Sequence, residues 1–206
     1  MVEVSAALSA WCERYERDPK RTAIWICSLC LNQFRMADNS VEKDLQKEFA
    51  DRVVAIGRIL PMLEPWDDPG YVKRAWCLFE LYTAIQRRSE VEIDIILSPK
   101  QAIAFRSRID QDGSDARAID EALAHVQSEN AEATFQADLD AIRALILQYS
   151  GGFGTLDDTV RAYLQRWFVS LGGVRVAARV GRANGSFQPR QAAGGQSDSQ
   201  QRISVL

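Results

Sequence analysis

The sequence predicts an α/β fold with a parallel sheet, continued by a helical segment. Three observations carry this. Three short apolar runs lie at 22–31, 58–63 and 91–97, the last rich in β-branched residues. Between them lie stretches with apolar residues at helical spacing, and strand–helix alternation of this kind argues for parallel strands joined by crossovers. Beyond residue 112 the pattern is helical only.

Residues 3–18 place Val4, Leu8, Trp11 and Tyr15 on one helical stripe. Asp18-Pro19 ends it, because a residue before proline is pushed out of the helical region. Residues 22–31 are almost continuously apolar, as expected of a strand buried on both faces. Residues 32–40 are a polar loop. Residues 41–56 form the second helix, with Gly57 positioned to cap it. Residues 58–63 are the next strand, interrupted by Pro61, which cannot donate a ladder hydrogen bond. Glu64-Pro65-Trp66-Asp67-Asp68-Pro69-Gly70 is a turn-rich loop.

Residues 71–88 read as a helix and 91–97 as a strand in which Glu92 and Asp94 alternate with apolar neighbours. Ser98-Pro99 is a cap-then-proline helix start, with the helix running to about Asp110. Helices follow at 116–126, 132–149 and 156–169. The last two are expected to pack as a hairpin about Gly151-Gly152. From residue 181 Gly, Gln, Ser, Arg and Ala dominate, so 181–206 is expected to be a disordered tail. The organisation expected is an α/β domain over 1–112, a helical extension over 113–180 and that tail.

Of 206 residues, 47% are hydrophobic and 26% charged, which fits a folded globular chain. The net charge of −3 lacks the basic excess of a dedicated nucleic-acid binder. No apolar run reaches the ~18 residues of a membrane span, and the first residues lack signal-peptide character. Cys12, Cys27, Cys30 and Cys77 are too few for a disulfide scaffold and sit in apolar segments. Cys27 and Cys30 share a strand and would point to opposite faces, so they read as core thiols rather than zinc ligands. No metal site is expected. Asp67-Asp68 reads as a turn. The expected location is cytoplasmic.

The most specific stretch is Arg74-Ala75-Trp76-Cys77-Leu78-Phe79-Glu80-Leu81, which follows a strand and a proline-rich loop and opens a helix. It resembles the W-C-x-x-E-L signature of the Toll/interleukin-1 receptor (TIR) superfamily. The resemblance covers roughly residues 3–110. The Trp25-Ile26-Cys27-Ser28-Leu29-Cys30-Leu31-Asn32-Gln33 run looks more like divergent protist and fungal branches than like animal adaptors. The resemblance implies a flavodoxin-like parallel sheet. The family's first strand, which lies mid-sheet, has no counterpart before Val4, so a fragment or reduced domain lacking that strand is expected. No fifth strand follows Gln111. The serine usual two residues before the tryptophan is here Arg74.

The resemblance also implies two functions. The leading one is a cytoplasmic signalling or assembly module acting through protein partners or self-association of the α/β domain. The alternative is NAD glycohydrolase activity, with NAD as substrate rather than resident cofactor. Glu80 would be the catalytic carboxylate, because cleaving the nicotinamide–ribose bond builds an oxocarbenium-like cation. By position, Trp66 would stack on a base or nicotinamide ring, and Asn32 and Gln33 would donate hydrogen bonds from the opposite loop. Glu80 also fits an ordinary helix position, with Arg87 two turns on to offset its charge.

Overall fold

A computed structural model describes residues 2–26, 45–112, 115–172 and 202–205. Cys27, Cys30, Asn32, Gln33, the 32–40 loop and most of the expected tail lie outside the described residues. The elements in chain order are α1 (Val2–Arg14), β1 (Ala23–Ile26), α2 (Leu45–Ile56), β2 (Arg58–Leu60), a 3-10 turn (Gly70–Lys73) and α3 (Ala75–Gln86). There follow β3 (Glu92–Ile93), α4 (Pro99–Asp112), α5 (Asp115–Leu123), a 3-10 turn (Ser128–Asn130), α6 (Gln136–Tyr149), α7 (Phe153–Gly172) and β4 (Arg202–Val205). The chain is mixed α/β and mostly helical.

The three expected strands belong to one sheet of order β1-β4-β2-β3, and every pairing in it is parallel. β1 and β2 are not neighbours. Arg202–Val205, expected in the disordered tail, lies between them, with Ser204 in register with both Trp25 and Ile59. The strand between β1 and β2 thus comes from a part of the chain far from both in sequence. Four residues with alternating polar and apolar character adopt a strand here because two flanking strands supply partners for both of its edges.

β2 stops at Leu60 because Pro61 has no N–H. Pro61 serves only as an acceptor, from the Ile96 N–H at 2.9 Å, and pairing resumes as a single bridge between Met62 and Ile96.

Alternation sorts the sheet's side chains between two helical layers. Leu60 and Ile96, with Ile24 and Ile26 against them, pack on Ala7, Trp11 and Cys12 of α1. Ile59 and Val91 face the other way, onto Val53 of α2 and Ala84 of α3. α1 ends earlier than Pro19 dictates. Glu16 takes a left-handed backbone (φ 52°), the Arg17 N–H reaches the Cys12 carbonyl at 2.8 Å, and the Glu16 N–H reaches that of Glu13 at 3.3 Å. This is a Schellman closure built without glycine. Gly57 closes α2 with φ 74° and its N–H on the Val53 carbonyl.

The largest apolar cluster joins Leu63, Trp66 and most of α3 to Phe105 and Ile109 of α4. It continues through Ile119 of α5 and Ile142 and Ile146 of α6 to Leu156, Val160, Leu164 and Phe168 of α7. α6 and α7 do meet at Gly151-Gly152, both with positive φ (77° and 97°). Each of them, however, meets α3 more extensively than it meets the other. The helical segment after residue 112 thus shares the core of the α/β part.

Candidate functional site

The expected helix over 71–88 is split at Arg74, whose backbone is extended (φ −101°, ψ 123°). The cause is a contact distant in sequence. The Ala75 N–H donates to the Glu132 carbonyl at 2.9 Å, and the Glu132 N–H donates to the Lys73 carbonyl at 2.8 Å. This two-bond clamp ends the 3-10 turn and starts α3, so Trp76-Cys77-x-x-Glu80-Leu81 occupies the helix's first two turns.

α3 is buried nearly all round: Cys77, Leu78, Phe79, Leu81, Ala84 and Ile85 are all sealed from water. A helix with that profile lies in the middle of a fold. Glu80 is part of it, at 2% exposure. It lies one turn before Ala84, on the side of α3 that meets Val53 of α2 and Ile59 of β2. Burial pushes its carboxyl up to about 8; Arg74 and then Arg52 pull the other way and only partly offset it. Desolvation dominates because the charged form loses its hydration without a full counter-ion in return. Arg52, on α2, also lies 5.1 Å over the ring of Trp25 on β1. Glu80, Arg52 and Trp25 therefore link α3, α2 and the sheet.

Arg87, expected to offset Glu80, instead grips Glu90 through two bonds of 2.6 and 2.9 Å at the exposed end of α3. The offsetting cations are Arg74 and Arg52.

Trp66, expected to stack on a ring, is packed inside the core. At 4% exposure its ring meets Phe105 edge-on at 5.1 Å and Phe168 at 6.2 Å, and its backbone N–H donates to Gln101 Oε1 at 3.1 Å. It anchors the loop into the core.

The Asp67-Asp68 turn is polar and occupied. Asp68 pairs with Lys73 at 2.6 Å and faces His125 Nδ1 at 3.3 Å, and Lys73 holds its carboxyl below the usual range. A shallow cleft of about 230 Å³ beside it is lined by Lys73, His125, Gln127, Asn130, Ala131 and Glu132. Neither Glu80 nor Trp66 borders it. Among the described residues no group of three or more His, Cys, Asp or Glu side chains is placed to hold a metal ion.

One polar cluster was missed by sequence reasoning. Asp94, just after β3, accepts from Trp11 Nε1 at 3.2 Å and from the Tyr15 hydroxyl at 3.1 Å, and pairs with Arg58, which also pairs with Glu92. The Arg58 guanidinium lies 5.6 Å from the Trp11 ring centre and 5.9 Å from that of Tyr15. Burial, then Asp94, raises the Tyr15 hydroxyl above its ordinary value. The alternation of Glu92 and Asp94 was visible in the sequence. The partners of Asp94, namely Trp11, Tyr15 and Arg58, become its neighbours only once the sheet forms.

Comparison with known proteins finds no match among family models, curated proteins or solved structures.

Proposed function

We propose that this chain is a TIR-like, cytoplasmic signalling or assembly module that acts through protein–protein contacts rather than by catalysis. The observation that carries this reading is the burial of Glu80. A carboxyl raised to about 8 is mostly protonated at neutral pH, and a neutral acid gives a developing ribosyl cation little stabilisation. Nicotinamide leaves as a neutral molecule, so a protonated acid has no essential proton to give. Glu80 is packed among α3, α2 and the sheet, and its role in this reading is to set the spacing of those elements with Arg52 and Arg74. The sheet order, with a parallel strand on each side of β4, fits a flavodoxin-like arrangement. No helix among the described residues is long and apolar enough to cross a membrane, which suits the same reading.

The NAD glycohydrolase reading keeps one observation in its favour: strongly shifted carboxyls concentrate at catalytic sites. The two readings separate in one assay. The full chain is incubated with NAD and nicotinamide release is followed, for wild type and Glu80→Gln. No release is expected from either protein. Release by wild type that falls ~100-fold or more in Glu80→Gln would replace the module reading with the enzymatic one.

A further inference from the structure

The cleft beside the Asp67-Asp68 turn has walls that are held in place. One is Glu132, whose backbone is fixed by the clamp with Lys73 and Ala75. The other runs from His125 to Ala131 and is pinned to α7 at two points. The Ser128 N–H donates to Asp157 Oδ1 at 2.9 Å, both residues being buried, and Arg161 donates to the Val126 carbonyl. Walls held in this way have little freedom left to lose when a ligand arrives.

A relay of hydrogen bonds decides what these walls offer. The Ala124 carbonyl can only accept, so Gln127 turns its NH2 to it, with Nε2 donating at 3.0 Å. Gln127 Oε1 then faces Asn130, which turns its own NH2 inward, with Nδ2 donating at 2.8 Å. The end of Asn130 that remains is its carbonyl oxygen, an acceptor. Asp68 does the same for His125. Its Oδ1 lies 3.3 Å from Nδ1, so in the neutral ring the proton sits on Nδ1 and Nε2 is left as an acceptor. Lys73 is occupied, its ammonium 2.6 Å from one Asp68 oxygen and 2.7 Å from the other. The Glu132 carboxylate has no ion-pair partner among the described residues. The charges of Lys73 and Asp68 cancel, so Glu132 leaves the cleft with one negative charge in excess.

A site with acceptors on its walls and one negative charge suits a cation that brings N–H donors. Its volume of about 230 Å³ holds roughly eight waters at their liquid share of ~30 Å³, room for a group of about that many heavy atoms. A guanidinium brings five N–H donors in one plane, a fork that matches a carboxylate, and a charge that persists at any ordinary pH. An ammonium brings three donors at a point. We infer that this cleft is a guanidinium-binding site, with Glu132 as counter-ion and Asn130 Oδ1 and His125 Nε2 as further acceptors. The group belongs either to a free small guanidine compound or to an arginine side chain of another protein. The inference rests on the cleft alone and not on the reading of Glu80, so it stands or falls separately from the NAD assay.

The test uses the full chain at pH 8, where an imidazole ring is neutral. His125 is the only histidine, so its ring C–H resonances report on the cleft directly. Ethylguanidinium and the peptide acetyl-Gly-Arg-Gly-amide should both shift them saturably, and the tighter binder identifies the source of the group. Butylammonium should bind at least several-fold more weakly. Tetramethylammonium, with the same charge and no N–H, should leave the resonances in place. Glu132→Gln changes only an exposed side chain and should weaken ethylguanidinium roughly tenfold, the scale of a charge-assisted hydrogen bond. Asn130→Ala should weaken it by a smaller factor, with the thermal midpoints of both variants close to wild type. The proposal is overturned if neither guanidinium probe gives a saturable shift, or if either ammonium probe binds as tightly. It is equally overturned if Glu132→Gln and Asn130→Ala bind ethylguanidinium as wild type does.

Discussion

Glu80 keeps its proton in the fold to about pH 8, whereas an exposed carboxyl of the same kind releases it near 4.5. Between those limits unfolding releases a proton. Stability from this group is therefore whole below pH 4.5, falls as pH rises, and is gone above pH 8. The slope has a ceiling of about 1.4 kcal/mol per pH unit for one proton. Glu80→Gln keeps the shape and has nothing to titrate. Urea midpoints at pH 5, 7 and 9 should show wild type losing ground to Glu80→Gln across the series, with the variant the more stable at pH 9. A difference that does not change with pH would mean that the carboxyl is hydrated and ionises normally. The same argument explains why Glu80 was legible by motif but not by environment. The spacing of Trp76, Cys77 and Glu80 is a property of eight consecutive residues. Its desolvation is made by α2 and the sheet, and the cations that partly offset it, Arg52 and Arg74, come from two different elements. The burial of Trp66 was hidden for a similar reason: a tryptophan in a proline-rich loop looks exposed until Phe105 and Phe168 are brought against it.

At the scale of elements, local chemistry marked what local chemistry makes. The apolar runs located three strands, Pro61 stopped β2, and Gly57 closed α2. Ser98 capped α4, its Oγ accepting from the Gln101 N–H at 3.3 Å while donating to Glu64 at 3.0 Å. Features set by distant partners were not legible. Arg74 breaks the expected helix because of Glu132. Arg202–Val205 becomes a strand because β1 and β2 leave a gap. α1 is held to the sheet by a similar long-range contact, the convergence of Trp11, Tyr15 and Arg58 on Asp94. The Asp94 side chain is only 17% exposed, so these bonds are partly shielded from water. Asp94→Ala removes the shared acceptor and should cost about 2 kcal/mol, the scale of hydrogen bonds to a charged group. The loss should be local: amide exchange should quicken along α1 while α6, which carries none of the cluster's residues, keeps its protection. Equal quickening in both helices would show that Asp94 does not brace α1 in particular.

For the whole molecule, the central question is whether the helices after residue 112 are an appendage or part of the same folding unit. The packing argues for one unit. Phe168 of α7 lies 6.2 Å from Trp66 in the β2–α3 loop and 5.5 Å from Phe105 of α4, and all three are buried. Leu164 and Val160 continue the same cluster along α7 beside the apolar residues of α3. A buried helix such as α3 has no water-facing side to fall back on if α7 leaves, so the two should unfold together. Small single cores behave in this all-or-none way. Phe168→Ala empties a site with no exposure to spare and should cost about 3–5 kcal/mol, on the order of 10 °C in thermal midpoint for a chain of this size. The informative measurement is coincidence of probes. Far-ultraviolet dichroism, dominated by the helices, and tryptophan fluorescence, which includes Trp66 in the α/β half, should give one shared transition in wild type. In Phe168→Ala both should move down together by the same amount. If the dichroism of the mutant falls first while fluorescence holds its wild-type midpoint, the helical segment unfolds on its own, and the chain has two units divided near residue 112.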